Sequence, residues 1–404
     1  MNQATLKRSL GPALLTFYGL GNILGAGIYV LLGKVAGSAG LYTPAAFVVA
    51  SLVAAVTALS YAELSARIPL SAGEAVYVQR AFESGQLSRI VGLLIAFAGM
   101  VSAATIARGF AGYVQVFAQL PDWTIIAPLV VILGAVAAVG IGLSVRVAAL
   151  ITLLEIAGLL LIVYVTADTL RTLPERLPDL LPPPDVAAWR GIMIGAFLAF
   201  YAYIGFEDMV NVAEEVHRPH RDLPLAIVTA LMISTVLYLV VAIAAILAIP
   251  PQELALSDAP LALLYRHATG LEPVVITQIA LLSVVNGALI QIIMASRMLY
   301  GMSRQGWLPA RLGNIDARTH TPLLATLLVS AVILFMALWF PLEYLAKATS
   351  YIILIVFSLV NAALWIIKGR EASPPGIRVY PRWLPLCGLL LTVGLLTFEL
   401  AAAF

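Results

Sequence analysis

Three carboxylates stand inside sequence that is otherwise apolar. Glu155 lies in ITLLEIAGLLL, and Glu207 and Asp208 are adjacent in FYAYIGFEDMV. An acid in hydrocarbon is costly, so each is a functional candidate by default. Glu155 could carry a proton or ligate a sodium ion; the alternative is a paired structural acid. Glu207 could be a proton-sensitive link, or could simply cap freed backbone N–H groups. The run GNILGAGIYV offers a different chemistry. Gly21, Gly25 and Gly27 share one apolar segment, and glycine inside a helix costs about 1 kcal/mol relative to alanine. That cost makes sense where a helix opens and bare backbone meets a ligand. N–H groups at Ala26 and Gly27, starting a new half-helix, suit a carboxylate. Carbonyls at Asn22 and Ile23, ending the previous half, suit an ammonium or a cation. Gly21 and Gly25 also have the spacing of a close helix contact, which is the packing alternative.

The stretch FYAYIGFED repeats this interruption near the middle of the chain. Gly205 follows Tyr201, Tyr203 and Ile204. Tyrosines there could cover a bound molecule as a thin gate, or could be core packing. A broken helix at membrane depth is tolerated only where it is buried in protein or lines a cavity. Two broken spans in corresponding positions point to a secondary transporter with a midplane site.

The elements that must hold these residues are membrane spans. Hydrophobic residues are 62% of the chain and charged residues 11%, a surface that water would not tolerate. A span needs about 20 apolar residues as helix. Eleven such runs are expected, from Ala13–Leu32 through the sixth, Gly191–Val212, to Leu384–Ala403. Loops on the N-terminal side carry most of the Lys and Arg, among them Lys7, Arg8, Arg67, Arg80, Arg89, Arg146, Arg218, Arg297 and Arg304. The opposite side carries Lys34, Arg171, Arg176, Arg190 and Arg266. The bias predicts a cytoplasmic N-terminus and an extracytoplasmic C-terminus in the cell (cytoplasmic or inner) membrane. Arg108 falls near the outer mouth, as a structural or an outer-gate arginine, and Lys347 has the same two readings.

The fold class expected is an all-α integral membrane protein. It has an inverted five-plus-five repeat with broken first and sixth spans, in one domain covering residues 1–404. Repeat one covers about 12–166, repeat two about 188–368, and an extra span about 384–403. The net charge of +2 points to no nucleic-acid partner. Cys387 is the single cysteine, so no intrachain disulfide can form. His217, His220, His267 and His320 are expected in loops. No cofactor, zinc motif, nucleophile elbow or facing catalytic dyad is called for, so an enzyme is not expected.

Four stretches in order resemble the amino acid–polyamine–organocation transporter superfamily: GNILGAGIYVLLG, YAELSARIPLSAGEAVYVQRAF, AFYAYIGFEDMVNVAEEVHRPHRDLP and ASRMLYGMSRQGWLP. The resemblance implies amino acid transport. It maps the substrate carboxylate to Gly25, Ala26 and Gly27. The amine maps to carbonyls of Asn22, Ile23 and the Tyr203–Ile204–Gly205 stretch. Tyr201 stands where relatives have a gating aromatic, and Glu207 where they have a glutamate linked to pH-sensitive gating. Asp208 replaces a frequent serine. Glu155 takes the place of a lysine found in several proton-coupled members, so their lysine mechanism does not carry over. The common count is twelve spans. The expected substrate is a neutral amino acid with a proton, or alternatively sodium, as the coupling ion. An amino acid or amine exchanger, a cationic amino acid or polyamine carrier, and a membrane sensor without transport are the alternatives.

Overall fold

The computed structural model describes residues 10–25, 27–70, 73–139, 145–316, 318–371 and 374–403. Lys7, Arg8 and Ala26 lie outside them. The first span is broken: α1 (Pro12–Leu24) stops and α2 (Gly27–Ala39) resumes. A turn at Gly40–Tyr42 leads into α3 (Thr43–Arg67), then the short α4 (Gly73–Phe82) and the third span, α5 (Gly85–Val114). Next come α6 (Asp122–Val139), α7 (Val145–Val165) and two surface helices, α8 (Ala167–Leu170) and α9 (Leu173–Leu180). The sixth span starts as α10 (Val186–Phe200), breaks, and continues as a 3₁₀ helix at Glu207–Glu215. Thereafter run α11 (Pro219–Ala248), the short α12 (Pro251–Leu256) and α13 (Pro260–Thr269), α14 (Val274–Arg304), α15 (Leu323–Trp339), α16 (Leu342–Arg370) and α17 (Trp383–Ala403).

Nine runs among the described residues are long and apolar enough to cross a bilayer, and the first, Pro12–Arg67, has 56 residues. A helix of that length would measure about 80 Å at 1.5 Å per residue, so it must contain two passes. It turns where Gly40 takes φ +58, a conformation open to glycine without steric cost. The apolar α15, with 17 residues, is shorter than these runs.

Local chemistry sets the ends. Ser84 caps α5 by accepting from Leu87 N–H at 3.3 Å, and Asp185 caps α10 by accepting from Ala188 N–H at 2.9 Å; both satisfy donors that a helix start leaves free. Pro219 begins α11 in its first turn, where a missing N–H costs nothing. Two histidines therefore depart from expectation. His220 sits in the first turn of α11 with Nδ1 2.7 Å from Ala66 O, and His267 lies in α13.

The packing shows the internal two-fold. Spans five apart lie against each other: α5 on α14, α3 on α11, α6 on α15, and α2 on α10. The cross-contacts repeat too, with α1 on α11 matching α10 on α3, and α5 on α16 matching α14 on α7. An odd number of spans separates the equivalents, so the second copy is inverted. At the N-terminal face, Leu10 N–H donates to Glu215 O and His217 N–H donates to Leu10 O, each at 3.0 Å. This small parallel bridge fastens the base of α1 to the chain beyond the second break.

Glu63 shows how the fold treats a buried acid that is purely structural. It is fully buried and accepts from Lys368 Nζ at 2.8 and 2.7 Å, Arg67 Nε at 2.9 Å and Tyr380 N–H at 2.9 Å. Its ion pairs are thus accompanied by the hydrogen bonds that buried charge requires.

Candidate functional site

The two breaks meet at the centre of the bundle. A Cβ on Gly27 would run into Ala202 Cα, and one on Gly205 would lie 2.6 Å from the Asn22 carbonyl. These two glycines let backbone approach backbone. Gly205 also has φ +129, which L side chains rarely adopt. At Gly25 the nearest contacts of an added Cβ are ordinary, 3.5 Å or more. Gly21 packs on α7, where a Cβ would meet Thr152 Oγ1.

The carbonyls freed by the breaks are held from the neighbouring spans. Tyr238 Oη of α11 donates towards Ile23 O at 2.7 Å and Ala202 O at 3.0 Å, so one hydroxyl spans both breaks. Ser283 Oγ of α14 donates to Gly25 O at 3.0 Å. Glu207 Oε2 accepts from Gly205 N–H at 2.8 Å. That carboxylate crosses its own break as the cap the sequence allowed for.

A small cavity opens beside the first break. Asn22, Ile23, Gly25 and Gly27 form one side, and Ile106, Ile204 and Ile290 form apolar walls. Ser102, Tyr201, Gly287 and Gln291 complete it. The Asn22 Nδ2 is buried without a hydrogen-bond partner. Because buried polar groups are normally satisfied, this amide is a donor available to a guest. Tyr201 bonds Ser102 Oγ at 3.0 Å and packs with Leu31 and Ala346, sealing the cavity on one side.

A second small cavity shares Ser102, Ile204 and Gln291 with the first. It in turn shares Met294 and Met298 with a wider vestibule that holds Arg297, Gln305 and Trp307. The three cavities therefore lie in series towards the face bearing the base of α1. The pocket at the other face contains Lys34, Arg108, Asp122 and Asp258 and shares no lining residue with the first cavity. There Arg108 pairs with Asp122 at 2.7 Å and donates to Phe340 O and Leu338 O, while Lys34 pairs with Asp258 at 3.1 Å. Lys347 joins Glu343 and Glu399 at 3.3 and 3.1 Å, tying α16 to α17.

The remaining candidates fall in different places. Tyr203 and Gly205 do not line the cavity; Tyr203 Oη turns to Phe47 O at 3.3 Å. Glu155 is fully buried on α7 and neither carboxylate oxygen has a hydrogen-bond partner. It sits beside Ser283, and its backbone carbonyl accepts from Tyr29 Oη at 2.8 Å. Ser283 thus stands between this acid and the Gly25 carbonyl. Asp208 lines the second cavity, as do Glu74 and Tyr61. The sequence did not single out Ser102, Tyr238, Ser283 or Gln291. Their only signal is a polar group inside a long apolar helix.

The sequence profile of a family described as amino acid permease matches residues 10–404. The chain is 29% identical over 426 residues to the branched-chain amino acid permease of Bacillus subtilis (strain 168), covering 97% of this chain and 89% of that one. It is 30% identical over 387 residues to an uncharacterized transporter of Mycobacterium tuberculosis (strain ATCC 25618 / H37Rv), covering 95% and 84%. It is 27% identical over 381 residues to the mitochondrial cationic amino acid transporter 3 of Arabidopsis thaliana, covering 88% of this chain but 61% of that longer protein.

Proposed function

The chain belongs to the amino acid permease family, and on that footing we propose how it carries its substrate across the membrane: a zwitterionic α-amino acid binds at the first break and passes by alternating access. The observation that carries this reading is the cavity where the ends of two half-helices, an unpartnered amide and apolar walls converge. The substrate carboxylate binds N–H groups at the start of α2, at Gly27 and Ala26, where the helix dipole favours negative charge. Its ammonium binds carbonyl oxygens of Asn22, Ile23 and Ile204; a carbonyl already engaged by Tyr238 keeps a second lone pair. Ile106, Ile204 and Ile290 accommodate an aliphatic side chain, which favours neutral amino acids. The relative named a branched-chain amino acid permease agrees with that preference.

The positive-inside bias makes the face with the vestibule cytoplasmic, so the structure is inward-facing and Tyr201 is the outer gate. Glu155 and Glu207 are the coupling groups, with a proton as the ion. Glu155 communicates with the site through Ser283 and Gly25 O. The chain acts as one domain, its repeats near 12–166 and 188–368, with the last span near 384–403 outside them.

The test is uptake of labelled amino acids into proteoliposomes in sodium-free buffer, with and without an inward proton gradient, into empty or preloaded vesicles. Accumulation of leucine or valine driven by the gradient into empty vesicles supports the reading. Uptake confined to preloaded vesicles replaces symport with exchange, and no uptake of any amino acid overturns it.

A further inference from the structure

We infer from the structure that the substrate site has a second chamber, lined by Glu74, Asp208 and Tyr61, which receives the ammonium or guanidinium end of a lysine- or arginine-like side chain. This rests on the proposed binding of the α-groups at the first break and extends the substrate class to cationic amino acids. The chamber adjoins the first cavity through Ser102, Ile204 and Gln291, which face both. A long side chain on a substrate held by its α-groups beside Gly25 would point towards this neighbouring chamber.

The polar groups of the chamber point to the charge of its guest. Glu74 is 1% exposed, Asp208 6% and Tyr61 0%. Glu74 Oε2, Asp208 Oδ2 and Tyr61 Oη are each buried without a hydrogen-bond partner. No Lys or Arg forms an ion pair with Glu74 or Asp208 among the described residues. Glu63, equally buried, is held by two cations and a backbone N–H. An unpaired buried carboxylate is among the costliest arrangements a fold can keep, yet two face one cavity here. Two buried carboxylates with no ion-pair partner, with the Tyr61 hydroxyl beside them, suit a cation that carries several N–H groups. Thr349 also lines the chamber, its hydroxyl donating to Leu345 O at 3.0 Å. Burial pushes the Glu74 carboxyl up to about 8, so it holds a proton near neutral pH. A bound cation would favour the ionised form and release that proton to the vestibule water.

The experiment measures binding of leucine, lysine and arginine to the full chain in nanodiscs, in sodium-free buffer and again with added sodium chloride. The parent is compared with Glu74→Gln and Asp208→Asn. The expected result is that the parent binds all three, while each variant loses lysine and arginine about ten-fold or more, as removal of a charge-assisted contact implies. Leucine binding, which needs neither side chain, stays within about two-fold and shows that the variants are folded. Leucine and lysine falling together, or competition by sodium alone, overturns the assignment. A parent that binds leucine but not lysine overturns the chamber alone. A parent that binds neither overturns the α-group site on which the chamber depends.

Discussion

Gly205 lies against Asn22 with no room for a side chain between them: a Cβ on Gly205 would come within 2.6 Å of the Asn22 carbonyl carbon and oxygen. The two breaks are thus one structure, each supporting the irregular backbone of the other. Gly205→Ala adds a backbone clash to a positive φ that disfavours any side chain, each costing about 1 kcal/mol or more. The expected outcome is a lower melting temperature in detergent together with at least about ten-fold weaker amino acid binding. Parental stability and affinity in this variant would show that the breaks do not need this contact.

Tyr238 supplies the hydroxyl that reaches Ile23 O and Ala202 O. Tyr238→Phe keeps the ring and removes that group. A net hydrogen bond contributes about 1 kcal/mol, with more lost when buried acceptors go unsatisfied. Uptake is expected to fall about five- to ten-fold, with a smaller loss of thermal stability. Unchanged uptake kinetics would reduce Tyr238 to core filler.

Glu155→Gln tests the coupling role. The side chain is buried without a hydrogen-bond partner, and glutamine preserves its volume but cannot exchange a proton. Uptake is expected to lose its dependence on the proton gradient while exchange between loaded vesicles persists. A gradient dependence identical to the parent's would remove Glu155 from coupling.

Glu63 and Glu371 offer a stability contrast. Glu63 is buried with Arg67 and Lys368, whereas Glu371 pairs with Arg80 at 2.9 Å with side chains 40% and 60% exposed. Removing one partner of a buried network costs about 3–5 kcal/mol, whereas an exposed pair contributes about 1 kcal/mol or less. Glu63→Leu should therefore lower the melting temperature strongly and Glu371→Ala hardly at all. Equal shifts would contradict the burial seen at Glu63.

Glu74, on the short α4 outside the spans, gives a pH signature. Burial raises its carboxyl from 4.5 to about 8. Tyr77 shares its helix, Tyr61 faces it from α3, and Asp208 and Glu207 face it from the second broken span. The native state holds a proton that the unfolded chain releases near pH 4.5, so this group's contribution declines as pH rises from about 4.5 to about 8 and then levels off. Melting temperature measured across that window should decline less in Glu74→Gln than in the parent. Parallel curves would show that Glu74 is not held protonated.

The spans and both breaks were legible because length, hydropathy and misplaced glycines are local signals. The glycines' separate tasks were not. A side chain at Gly25 would make only ordinary contacts while Gly27 and Gly205 admit another backbone, a difference that depends on what lies opposite. The same limit hid Ser102 and Gln291, which matter because α5 and α14 bring them to one cavity. Whether Asp208 faced these cavities was undecidable from its neighbours in the chain. His220 was misplaced because the proline before it starts a helix as readily as it ends one.

The bridge from Leu10 to Glu215 and His217 also has a mechanical meaning. It joins the base of α1 to the far end of the second broken span, so the two lower half-segments act as one lip around the vestibule. A hinge placed at Gly25 would then pull on the segment beyond Gly205 as well. A movement of one lower half-segment would therefore carry the other with it.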